Sequence, residues 1–99
     1  MENQFAYHVT LAEFLPSILA KGLLATPHPS AGGEPVIFVE PDQAEAEIYA
    51  DVNTVTLRFP VDGFGCTDDG ECVVDGPVLP ENLDVFVSGA WVPLLKHLA

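Results

Sequence analysis

The residues of this chain whose types carry chemistry are three histidines, two cysteines and a run of carboxylates. His8 follows Tyr7 in the segment QFAYHV. A lone imidazole at a strand end is either a satisfied structural group or the first piece of a site. His28 lies in ATPHPSAGGEP and is expected to face solvent, while His97 lies near the C-terminus and is expected to be inert. No two histidines share the i, i+4 spacing of a metal-binding helix, and Asp68, Asp69 and Glu71 miss the ligand spacing of a calcium loop, so no metal is expected. Cys66 and Cys72 lack zinc spacing and are expected as free thiols. Neither has a cationic neighbour in sequence to lower its pKa, so a nucleophilic role is not expected. Glu71 follows Asp68-Asp69-Gly70 and, on its own, reads as an acid flanking a turn.

These groups must be positioned by short elements. QFAYHV at 4–9 mixes aromatic and β-branched residues and predicts a strand. Thr10 and Glu13 have capping-box spacing, which predicts a turn over 10–14, and Pro16 at a first turn predicts a helix over 16–21 closed by Gly22. The loop at 25–35 holds three prolines and two glycines. VIFVE at 36–40 is apolar without alternation, as in a strand covered on both faces. Pro41 opens a predicted second helix, PDQAEAEIYA, with Ala44 and Ile48 expected to face the core. TVTLRFPV at 54–61 alternates as a strand, Asp69-Gly70 signals a hairpin leading to ECVVD, and Ser88-Gly89 joins a last pair, LDVFV and AWVPLL. This order predicts one α+β domain over residues 1–99, with a small, largely antiparallel sheet and two short helices.

Charge narrows the function classes. Fifteen acidic residues against Lys21, Arg58 and Lys96 give a formal net charge of −12. Nucleic acid and anionic membranes are therefore poor partners, a basic protein surface is a good one, and self-repulsion favours a monomer. No stretch approaches the roughly 18–20 apolar residues of a membrane span, and the N-terminus lacks a signal-peptide pattern, so a cytoplasmic location is expected. Thirteen of the fifteen acids fall between Glu34 and Asp84, in two groups. Glu40, Asp42, Glu45, Glu47 and Asp51 surround the second helix; Asp62, Asp68, Asp69, Glu71 and Asp75 lie on the hairpin. On one face they would form a ladder of negative charge comparable to a nucleic-acid backbone, suited to the groove of a DNA-binding protein. Without a shared face they are only a solvated surface that keeps an apolar chain in solution.

Three phrases, YHVT…LPSILAKGL, VIFVEPDQAEAEIYA and ECVVDGPVLPENL, together resemble the compact ADP-ribosyltransferase fold, in the small branch that includes RNA 2′-phosphotransferases and DarT-like toxins. The likeness runs over residues 5–87 and rests on order and spacing. It implies an ADP-ribosyltransferase-like fold and an NAD site in which His8 holds the ribose and nicotinamide amide. Phe38 or Tyr49 would supply the second position and Glu71 the carboxylate that polarises the reacting ribose. Phe38 has no hydroxyl, so Tyr49 would have to substitute from the helix. The chain also departs from a dinucleotide site in having few cations for a pyrophosphate, and Gly32-Gly33 has neither G-x-G-x-x-G nor P-loop spacing. Phosphotransfer on RNA, which implies basic residues gripping a phosphate, is disfavoured for the same reason.

Two functions follow. In the first, the chain is an acidic, non-enzymatic inhibitor that covers a basic nucleic-acid-binding partner by mimicking nucleic acid, as phage anti-CRISPR and other anti-defence proteins do, and needs no cofactor. In the second, it is a minimal NAD-dependent mono-ADP-ribosyltransferase using His8, Tyr49 and Glu71. The charge balance places the first ahead.

Overall fold

A computed structural model describes residues 4–97. The fold is α+β, with eight strands and three short helices among the described residues. In chain order these are β1 (Gln4–Leu11), α1 (Leu15–Lys21), β2 (Thr26–Pro27), β3 (Pro35–Phe38), α2 (Gln43–Ile48), β4 (Thr54–Val61), β5 (Gly65–Cys66), β6 (Cys72–Val74), β7 (Asp84–Val87), β8 (Ala90–Pro93) and α3 (Leu94–His97). The strands form two antiparallel four-stranded sheets, ordered β1-β4-β7-β8 and β2-β3-β6-β5.

The alternation of TVTLRFPV organises the first sheet. β4 pairs with β1 along its whole length, from Gln4 opposite Val61 to Leu11 opposite Thr54. Strand alternation then sends Leu57 and Phe59, with Ala6 opposite Phe59, into the core, where all three are buried. Ile37, Val39 and Val74 from the second sheet, Leu15 and Ile18 from α1, and Leu83, Val85 and Leu94 complete that core. Burial of each such large apolar side chain stabilises the fold by about 1.5–3 kcal/mol. On the opposite face the Arg58 guanidinium lies over the rings of Phe5 and Trp91, at 4.4 and 4.6 Å, and its Nε donates to Asp84 at 3.0 Å. The β7–β8 turn is a two-residue hairpin with positive φ at Ser88 (50°) and Gly89 (83°), the mirror-image turn that matches strand twist.

Four local expectations fail for identifiable reasons. The 10–14 segment is not a capped turn from Thr10, because β1 continues to Leu11 and Thr10 pairs opposite Val55. The cross-strand ladder to β4 holds Thr10 extended, and the 3-10 turn at Ala12–Phe14 starts without a side-chain cap. Helix α2 begins at Gln43 rather than Pro41, since the Asp42 carboxylate accepts from the Glu45 amide at 2.9 Å and acts as the N-cap. Only six residues long, α2 turns Ala46 inward; Ala44 is exposed and Ile48 is 77 % exposed, the reverse of the expected face. The last segment AWVPLL leaves strand geometry after Pro93 and continues as α3, which buries Leu94 under β7 and β8. No described helix is long and apolar enough to cross a membrane.

Candidate active site

The two sheets meet through β1. Tyr7 and Glu40 exchange backbone hydrogen bonds, with Tyr7 N donating to Glu40 O at 3.0 Å and Glu40 N to Tyr7 O at 2.7 Å. This bridge joins β1 to the segment just after β3, and β1 otherwise pairs with β4 rather than β3. His8 makes the next link. Its Nδ1 lies 2.7 Å from the Phe38 carbonyl oxygen. A carbonyl only accepts, so Nδ1 carries the proton and, in the neutral ring, Nε2 is left as a hydrogen-bond acceptor. Burial holds the His8 pKa below its ordinary value of 6.5, outweighing the contact with Phe38 O, which favours the charged form.

A cleft of about 740 Å³ lies along this seam, within the size range of small-molecule sites. His8, Val9, Thr10 and Leu11 of β1, Phe14 of the 3-10 turn, and Phe38, Val39 and Glu40 line it. Glu45 and Tyr49 enter from α2 and its C-cap, Gly70 and Glu71 from the turn before β6, and Cys72 from the start of β6. All three residues nominated for an NAD site, His8, Tyr49 and Glu71, therefore border one cleft, although they come from three remote segments. Phe38 borders it too, as an aromatic wall whose carbonyl orients His8.

Glu71 is held from behind. Its backbone N donates to Thr67 Oγ1 at 3.1 Å, and its carbonyl accepts from Thr67 N at 2.9 Å. Thr67 is buried, while Glu71 is exposed and borders the cleft. Thr67 was not nominated from the sequence; its signal there is only a threonine opening the turn T-D-D-G-E.

The acidic residues divide by location. Glu40, Glu45 and Glu71 line the cleft, bringing together members of both acidic groups. Burial, then the carboxylates of Glu45, Glu71 and Asp42, pushes the Glu40 pKa up. Asp62 and Asp75 line a separate depression, and Asp68 and Asp69 sit exposed in the hairpin turn. Glu47 is exposed and accepts from Gln43 Nε2 at 3.2 Å, while the Asp51 carboxylate accepts from Asn53 N at 2.7 Å.

The remaining histidines lie elsewhere. His28 is exposed, packs edge-on against Phe38 at 4.7 Å, and accepts at Nδ1 from the Ser30 amide. His97 is exposed on α3. Cys66 and Cys72 are free thiols opposite each other across β5 and β6; burial first, then Cys66 and the Glu40 and Glu45 carboxylates, pushes the Cys72 thiol up and keeps it protonated. Among the described residues no cluster of His, Cys, Asp and Glu has metal-binding geometry.

Family models, curated proteins and solved structures offer no match to this chain.

The His8 tautomer has a measurable consequence. In the unfolded chain the imidazole takes a proton near its ordinary pKa, whereas in the folded chain it resists until lower pH. The unfolded state then binds more protons, so stability falls as the pH drops below about 6.5 toward the lowered value. Urea unfolding of wild type and His8→Gln at pH 7.5 and 5.5 should show a smaller loss in the variant. An equal loss in both would place the proton uptake on other groups.

Proposed function

We propose that the chain is a small NAD-dependent mono-ADP-ribosyltransferase acting at the cleft between β1 and the second sheet. The observation that carries this reading is the convergence of His8, Tyr49 and Glu71 on one cleft. Each has a chemical task there. His8, fixed through Nδ1, offers Nε2 to a ribose hydroxyl. Tyr49, Phe14 and Phe38 give aromatic surface for a planar base. In this reading the Glu71 carboxylate stabilises the positive charge that develops at the ribose C1′ as the nicotinamide bond breaks, most strongly in the transition state.

The test is calorimetric titration with NAD at millimolar concentration beside an assay for released nicotinamide. Binding with turnover is expected. Absence of both heat and nicotinamide would end this reading.

A second reading is favoured by a different observation, the gathering of Glu40, Glu45 and Glu71 at that cleft with Asp42 close enough to raise Glu40. In it the acidic face covers a basic nucleic-acid-binding protein as an inhibitor, with affinity spread over many carboxylates. Joint replacement of Asp42, Glu45, Glu47 and Asp69 by lysine would abolish such inhibition, whereas each single replacement would weaken it by a few-fold and mainly slow association. Inhibition that survives the fourfold change would end the second reading.

A further inference from the structure

Cys66 and Cys72 face each other at the end of the β5–β6 pair, after the rung in which Gly65 lies opposite Val73. Residues opposed in an antiparallel pair alternate between those joined by ladder hydrogen bonds and those that are not, and side chains approach more closely in the second kind. Two bonds place the cysteines in the second kind. Thr67 N donates to Glu71 O at 2.9 Å, so the next rung, Thr67 opposite Glu71, is a bonded one. The Cys72 carbonyl accepts from Val39 N, just beyond β3, at 3.1 Å and so points away from β5. Such a pair holds its Cα atoms about 4.5 Å apart, inside the roughly 4.4–6.8 Å that a disulfide spans, with both side chains on one face of the ribbon.

Both are free thiols, Cys66 exposed and Cys72 half-buried where β6 borders the cleft. The turn between them carries Glu71. Besides the Thr67 contacts to Glu71, it is held by Gly70 N donating to Thr67 O and Asp68 N donating to Ser30 O, each at 3.0 Å. A covalent bond at the base of this turn would close a short loop and fix a segment of the cleft wall.

We infer that Cys66 and Cys72 form an oxidative modification site, at which a low-molecular-weight disulfide converts the two thiols into an intramolecular disulfide that fixes the turn carrying Glu71. The site goes beyond the transferase reading and stands whatever the cleft binds. The exposed Cys66 Sγ attacks one sulfur of the reagent, whose S–S bond breaks and whose other half leaves as a thiolate. Cys72 Sγ then attacks the Cys66 sulfur, forming the protein S–S bond and releasing the second half. The two cysteine protons pass through solvent to the two departing thiolates, so the protein loses two electrons and the reagent gains them. Burial, then Cys66 and the Glu40 and Glu45 carboxylates, keeps the Cys72 thiol protonated, which suits it to the second step, where proximity offsets a low thiolate fraction. Exposure of Cys66 leaves the bond open to attack by thiols, so the modification reverses.

The experiment treats the full chain with 2-hydroxyethyl disulfide, a neutral reagent that the net charge of −12 does not repel, and follows mass and free thiols. The wild type should lose both thiols and two hydrogen atoms without retaining the reagent, and 2-mercaptoethanol should restore them. Cys66→Ser and Cys72→Ser should each stop at a mixed disulfide, formed about tenfold more slowly in Cys66→Ser, where only the protonated, half-buried thiol remains. Urea unfolding should show the folding equilibrium of the oxidised wild type shifted about tenfold toward the folded state, the direction expected of a cross-link that fits its site. Amide exchange over residues 68–71 should slow by about the same factor. A wild type that keeps both thiols, retains the reagent on Cys66, joins two chains, or closes the bond with a loss of stability would overturn the inference.

Discussion

Glu71→Gln should lower nicotinamide release by about 10²–10³-fold while leaving donor affinity within a few-fold of wild type. The side chain keeps its size and reach but loses its charge, so the change isolates stabilisation of the developing cation. The Thr67 contacts that hold this turn are to the backbone of Glu71 and should survive the substitution. Loss of kcat with an unchanged dissociation constant is the signature of an interaction made mainly in the transition state. Glu45→Gln is the control, because Glu45 borders the same cleft and carries the same charge. In an enzyme Glu71→Gln should be far more damaging than Glu45→Gln; on an acidic docking face the two should weaken partner binding by similar, modest factors. Equal small effects on turnover would therefore count against a catalytic Glu71.

The fold was legible where local pattern and long-range pairing agree. β4 occupies Thr54–Val61, the whole alternating segment TVTLRFPV, because its alternation is the face pattern of a sheet with one side buried. The Ser88-Gly89 turn was legible because few dipeptides tolerate positive φ at both positions. Pattern failed where a distant partner decides. The capping-box spacing of Thr10 and Glu13 is real, but the pairing of Thr10 with Val55 lies 45 positions away and overrides it. Ile48 reads as core by helical spacing, yet α2 is too short for more than Ala46 to reach the interior. The candidate site follows the same division. His8, Tyr49 and Glu71 were nominated from the order of three phrases, while their common cleft depends on the Tyr7–Glu40 bridge. The partner that fixes the His8 tautomer is a backbone carbonyl, which leaves no mark on residue type. The grouping of acids into a helix set and a hairpin set is cut across by the fold: Glu71 joins Glu40 and Glu45 at the cleft, while Asp62 and Asp75, of the same hairpin set, line a different depression.

Gly22→Ala should destabilise the fold by about 3 kcal/mol, a large share of the roughly 5–15 kcal/mol that holds a domain together. Gly22 closes α1 with φ 82° and ψ −177°, a combination that only glycine adopts without strain. For any other residue this backbone costs about 1–3 kcal/mol. The second part of the effect is steric. A Cβ at position 22 would overlap the Val78 carbonyl oxygen, the same atom that accepts from Leu23 N at 2.8 Å. Relief of that overlap must move the Val78 carbonyl, and with it the return bond from Val78 N to Leu23 O at 2.9 Å. Each lost bond removes about 0.5–1.5 kcal/mol. Leu23 is buried, so its freed amide would also lack easy access to water. Gly33→Ala is the comparison for a positive φ without a close neighbour, since Gly33 has φ 83° but open space where a Cβ would stand. Urea unfolding of both variants should place Gly22→Ala well below Gly33→Ala, by about 2 kcal/mol if the Val78 contact contributes as argued. Equal losses would show that the backbone conformation alone requires glycine at the end of LPSILAKGL, and that the close approach of Val78 adjusts freely.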